Sequence, residues 1–182
     1  SALVRGADAP EMPEAMAQVA RASTVPIATG ERLCTEWEFA RVLALNAAAI
    51  LQPNLGRVGG LLEAKKVATL AEAHYAQIAP HVYCGPIVAA ASVQLAACTP
   101  NFLILEGIER WGGFQAELLR QPLVWERGSV AVPDAPGLGV ELDEDVARRH
   151  PYTGDALHLE MTPEPCDGLP RRRTPGAEDD RR

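Results

Sequence analysis

Four residues carry groups able to exchange protons, hold a cation or bind an oxygen-rich ligand, and they recur at near-equal intervals. They are Glu31 in ATGERL, Asn54 in ILQPNLG, His81 in IAPHVYCGP and Glu106 in NFLILE. Taken singly, each has an ordinary explanation: an acid on the surface or opening a helix, a turn-forming amide, a hydrogen-bonded core histidine, a strand-end charge facing water. Each also stands at the end of an apolar run of strand length. A carboxylate, an amide and an imidazole that face one cleft need mutual pairing, a metal ion or a substrate to offset lost hydration. Whether the four meet depends on the elements that carry them.

Those elements alternate. Residues 13–23, PEAMAQVARAS, place proline at a first helical position with apolar residues at helical spacing. VPIATGE then has the character of a short strand, and TEWEFARVLALN that of a helix whose Thr35 and Glu38 have capping-box spacing. The pattern continues with strand AAILQ, helix GLLEAKKVATLAEAHY, strand AQIAP, helix PIVAAASVQLAAC and strand NFLILE. Strand starts near Pro26, Ala48, Ala76 and Asn101 repeat at roughly 22 to 28 residues, which predicts parallel βα units. In a parallel sheet or barrel all strand C-termini lie on one face, so Glu31, Asn54, His81 and Glu106 are expected to converge there.

After Glu106 the pattern changes. PLVWERGSVAVPDAPGLGVELDED holds two β-prone runs joined by Glu126, Arg127 and Gly128, a hairpin signal, followed by a Pro/Gly-rich loop expected outside the barrel. PEPCDGLPRRRTPGAEDDRR has no apolar periodicity and is expected to be disordered. A formal net charge of -7 over 182 residues argues against nucleic-acid or anionic-membrane binding. Cys34, Cys84, Cys98 and Cys166 have neither CxxC nor zinc spacing, so buried or partly buried free thiols in a reducing compartment are expected. Without a long apolar run or a signal-like start, the expected location is cytoplasmic; a start on Ser1 rather than Met suggests that residues once preceded it.

PIATGERL, ILQPNLGRVGGLLEAKKVATLAEAHY, APHVYCGPIVAAASVQLAACTPNFLILE and VPDAPGLGVELDED, in this order, resemble the C-terminal half of the enolase superfamily. Within it they are most similar to the mandelate racemase-like branch, which includes D-galactonate dehydratase and other sugar-acid dehydratases. The resemblance implies an α/β fold: the C-terminal half of a (β/α)7β TIM-type barrel with a C-terminal hairpin and extension. The boundaries expected are an irregular segment 1–12, a partial barrel 13–122, an extension 123–162 towards a capping domain, and a disordered tail 163–182.

The resemblance also implies roles. Glu31 matches the third carboxylate that holds Mg²⁺, His81 a general acid/base, Asn54 the position of its usual carboxylate partner, and Glu106 a last-strand group that hydrogen-bonds substrate or intermediate. The implied reaction is removal of the proton α to a carboxylate of an acid sugar, through an enediolate, with loss of water. Hard cations suit enediolate oxygens, and imidazole exchanges protons near neutrality. A homo-oligomer is implied for the complete enzyme. Two departures stand out: counting back about 25 residues from Glu31 to the usual second metal carboxylate reaches Arg5 and Gly6, with no acid or strand-like run, and Asn54 replaces a carboxylate. An amide oxygen there could accept the ring N–H without adding charge. The earlier strands and first metal ligand would precede Ser1, so the chain by itself is expected to be truncated and inactive. A racemase or cycloisomerase of the same superfamily, or a non-catalytic barrel fragment or pseudoenzyme, are the alternatives.

Overall fold

The computed structural model describes residues 4–5, 12–107 and 111–152. Within Ser1–His150, a parallel sheet is formed by β1 (Val4–Arg5), β2 (Ile27–Thr29), β3 (Ile50–Leu51) and β4 (Gln77–Ile78), in that spatial order. β5 (His81–Val82) pairs in parallel with β6 (Glu106–Gly107). Between the strands lie α1 (Pro13–Ala22), α2 (Glu36–Ala44), α3 (Leu55–Val58), α4 (Leu61–Ala73) and α5 (Pro86–Ala97). Strand neighbours in space follow chain order, as in an arc of a β/α barrel.

Alternation along the strands explains why their sequences are apolar throughout. Ile27, Leu51 and Ile78 pack with Phe39, Val42, Val67 and Leu95 in the layer between sheet and helices. Ala28, Ile50 and Ala79 form a second buried cluster, on the opposite face of the strands. A parallel sheet buried on both faces needs such runs. Alanines 64, 68 and 71 of α4 and 89 and 90 of α5 are buried, letting those helices lie close to their neighbours. Fully burying a side chain such as Leu51 stabilises the fold by about 1.5–3 kcal/mol.

Several elements differ from expectation. β1 occupies Val4–Arg5, where the sequence shows no strand-like run; its pairing with Ile27 and Ala28 comes from the sheet rather than from local propensity. α3 adds a helical turn between Asn54 and α4, closed by Gly59 at φ 101°. AQIAP and the residues after it divide into β4 and β5, because Pro80 has no N–H for the ladder while its carbonyl accepts from Glu106 N at 3.0 Å. NFLILE is not a continuous strand: it touches the sheet through a bridge of Phe102 to Ile78 and again at β6. Leu103 and Ile104 between them are 40% and 53% exposed, so side-chain burial does little to hold that stretch flat against the sheet.

The expected hairpin is present as β7 (Trp125–Glu126) and β8 (Ser129–Val130), antiparallel, with Arg127 and Gly128 both at positive φ. A two-residue turn with both φ positive matches strand twist. The extension also contains α6 (Glu144–Arg149), capped by Asp143. The tail 163–182 and Cys166 lie outside the described residues. Cys34, Cys84 and Cys98 are free, but exposed rather than buried.

Candidate active site

Parallel pairing brings the four polar strand ends together. Gln52 N donates to Thr29 O at 2.7 Å and His81 N to Pro53 O at 3.1 Å, so each strand end is pinned to the one before it. His81 is the register partner of Glu106. Counting by twos from Ile50 reaches Gln52 and then Asn54, and from Ala79 reaches His81, which carries all of them to the face opposite the helices.

His81 is the hub. Its Nδ1 lies 2.9 Å from Asn54 Nδ2, and its Nε2 lies 3.9 Å from Glu31 Oε2. Tyr83 stacks on the ring at a centroid distance of 4.4 Å and an interplanar angle of 20°. The imidazole side chain is 15% exposed and the Glu31 side chain 37%, so Nε2 and the carboxylate stand where the pair meets solvent. Asn54 is wholly buried. Its Oδ1 accepts from Gly56 N at 2.9 Å, as N-cap of α3, and from Cys84 Sγ at 3.2 Å.

This polarity reverses the expectation that the amide oxygen would accept the ring N–H. A backbone N–H can only donate, so Gly56 claims the oxygen and leaves the NH2 group for His81. Glu106 is held by Gln52, whose buried amide Nε2 donates to Glu106 Oε2. Because Gln52 follows β3 and Glu106 lies in β6, this bond spans the intervening strand.

Gln52, Gly56, Tyr83 and Cys84 are participants that the sequence reading missed. Gln52 could have been found by counting back two from Asn54 on the same strand face. Tyr83 and Cys84 lie beyond the strand, where no periodicity reports direction. Gly56 is small because a Cβ there would meet Cys84 Cβ at 3.0 Å and Sγ at 3.1 Å.

Among the described residues no group of three His, Cys, Asp or Glu could hold a metal ion. Glu31 is a single carboxylate, and the neighbouring strand β1 ends on Arg5, not on an acid. These residues therefore do not fit a magnesium centre on their own.

A parallel βα arc with its polar groups gathered at the strand C-termini defines a barrel-type active-site face. Residues 8–146 match the model of the enolase C-terminal domain-like family, and the chain belongs to that family. It is 35% identical over 148 residues to D-xylonate dehydratase of Haloferax volcanii, covering 81% of this chain and 36% of that protein. It is 39% identical over 142 residues to D-galactonate dehydratase of Ralstonia nicotianae, covering 74% of this chain and 37% of that one. The crystal structure of mandelate racemase/muconate lactonizing enzyme from Sulfitobacter sp. superposes with a TM-score of 0.79 at 51% identity, covering 91% of this chain and 41% of that chain. The chain thus spans somewhat over a third of the length of these curated relatives.

Proposed function

We propose that this chain carries the histidine-bearing half of the active site of an acid-sugar dehydratase, a hydro-lyase of the enolase superfamily, and that it acts within a longer or completed barrel in the cytoplasm. The observation that carries the reading is the contact set around His81: Asn54 at 2.9 Å on one ring nitrogen and Glu31 at 3.9 Å on the other. The similarity to D-xylonate and D-galactonate dehydratases supports the reaction class.

In this reading the substrate is a polyhydroxy carboxylate. His81 meets it through Nε2, the nitrogen on the Glu31 side, and serves the oxygen or proton that changes charge as the α-proton leaves and the β-hydroxyl departs. Asn54 orients the ring from its far side. Glu106, positioned by Gln52, takes a hydroxyl or enediolate oxygen of the same ligand. Glu31 is the one carboxylate this chain would offer to the magnesium ion of the complete enzyme.

The test joins residues 1–152 to the preceding barrel strands of the Sulfitobacter relative and assays acid sugars, D-galactonate and D-xylonate among them, with Mg²⁺. Formation of an α-keto acid is expected, and its loss in His81→Gln. A folded chimaera that instead racemises or cyclises a hydroxy acid would move the assignment to the runner-up chemistry, which the Sulfitobacter match favours by name. The other reading is a non-catalytic fragment, favoured by the absence of a metal-holding cluster among the described residues. It requires a folded chimaera that turns over none of these substrates.

A further inference from the structure

We infer that Asn54, anchored by Gly56 and Cys84, locks His81 in the tautomer with its proton on Nε2, so that this histidine works as a neutral hydrogen-bond donor and not as the base that removes the α-proton. The inference deepens the dehydratase reading and rests on it for the identity of the substrate, but the tautomer stands on hydrogen-bond chemistry alone.

Asn54 Oδ1 is committed twice, to Gly56 N at 2.9 Å and to Cys84 Sγ at 3.2 Å. Rotating the amide would set its NH2 group against the backbone N–H of Gly56, donor against donor, at a position with no exposure to water. The amide is therefore held one way, and an N–H points at His81 Nδ1 across 2.9 Å. A nitrogen that accepts this bond keeps its lone pair and carries no proton. In a neutral ring the proton then sits on Nε2, the nitrogen facing the Glu31 carboxylate at 3.9 Å. Turning the imidazole over would set a ring carbon against the Asn54 NH2 group and take Nε2 away from the Glu31 carboxylate.

The chemical consequence follows from which lone pair is free. A base needs one on the substrate-facing nitrogen, and Nε2–H has none. What it offers is an N–H for an enediolate oxygen that gains negative charge, without a proton leaving the ring. The α-proton goes to a basic side chain of the completed barrel, which returns a proton to the β-hydroxyl so that it leaves as water. A carboxylate at position 54 would act oppositely: one oxygen could keep the bonds from Gly56 and Cys84 while the other accepts Nδ1–H, leaving Nε2 basic.

Imidazole ¹⁵N NMR on the 182-residue chain tests this without substrate or metal. Long-range ¹H–¹⁵N correlations are recorded at a pH where the rings are neutral, with His81 assigned by the signals lost in His81→Gln. Nε2 is expected to be the protonated, pyrrole-type nitrogen and Nδ1 the unprotonated, pyridine-type one; Asn54→Asp is expected to exchange them. Cys84→Ser, which keeps a donor to Oδ1, should leave the wild-type pattern in place. A proton on Nδ1 in the wild-type chain, or an even mixture of tautomers, would overturn the inference even if Asn54→Asp failed to fold. Failure of turnover in the chimaera with the Nε2–H tautomer intact would instead count against the dehydratase reading alone.

Discussion

Gly30 shows how one residue sets the site's geometry. It stands directly before Glu31 with φ at 127°, a conformation that side chains rarely tolerate, and a Cβ there would come within 2.5 Å of the buried Phe39 ring and 3.2 Å of Gln52 N. The close approach lets β2 end against β3 and turn Glu31 outward to His81. Gly30→Ala is expected to destabilise the chain by about 2–3 kcal/mol, from overpacking together with backbone strain, and urea denaturation monitored by circular dichroism would read it. An unchanged midpoint would show that the strand end adapts. Asn54 gives the complementary lesson: its type and position are plain in the sequence, but the direction of its hydrogen bond is set by the local bond from Gly56 N together with Cys84 and His81, which only the fold brings beside it.

Among the elements, α2 was the most legible, because its start signal is local. Thr35 Oγ1 accepts from Glu38 N at 3.4 Å, and Glu38 Oε2 accepts from Thr35 N at 2.8 Å, completing the capping box. Partial desolvation pushes the Glu38 pKa upward, but N–H donation from Cys34 and Thr35 and the Thr35 hydroxyl outweigh it and hold the carboxyl below its ordinary value. A pKa lower in the folded than the unfolded state stabilises the fold above the unfolded value, and that contribution is lost as pH falls through the folded one. Thr35→Ala should therefore cost about 1 kcal/mol at neutral pH, with a smaller difference in acid, where Glu38 is protonated in both proteins. Urea midpoints measured across the acid range check the trend; a difference independent of pH would detach Glu38 from the cap. NFLILE was less legible, since an apolar run does not reveal that its middle lacks burial.

At the largest scale, the unit Ser1–His150 holds an arc of barrel whose strand ends gather acid/base and hydrogen-bonding groups, with Glu31 as the single implied metal carboxylate among the described residues. Titration calorimetry of the 182-residue chain with Mg²⁺ is expected to show no tight one-to-one binding, as the described residues hold no three-ligand cluster. Tight stoichiometric binding abolished by Glu31→Gln would mean that the chain completes the centre by itself, and the non-catalytic reading would fall.

The alternation of β2, α2, β3, α4, β4 and α5, their parallel topology and the placing of Glu31, Asn54, His81 and Glu106 along it were legible in the sequence alone. Hydrophobic periodicity, glycine and proline punctuation and capping pairs are local signals, and a parallel βα repeat leaves its strand ends little choice of side. Other features were decided only by tertiary structure. Whether Val4–Arg5 pairs as a strand depends on Ile27 and Ala28 beside it. Whether Gln52 reaches Glu106 depends on sheet curvature across an intervening strand. Which nitrogen of His81 faces a donor depends on a local N-cap bond from Gly56 N in α3 and on a thiol that reaches Asn54 from beyond β5. Hydrogen-bond polarity is a property of the neighbours a group meets, and residues far apart in the chain become neighbours only when the strands pair.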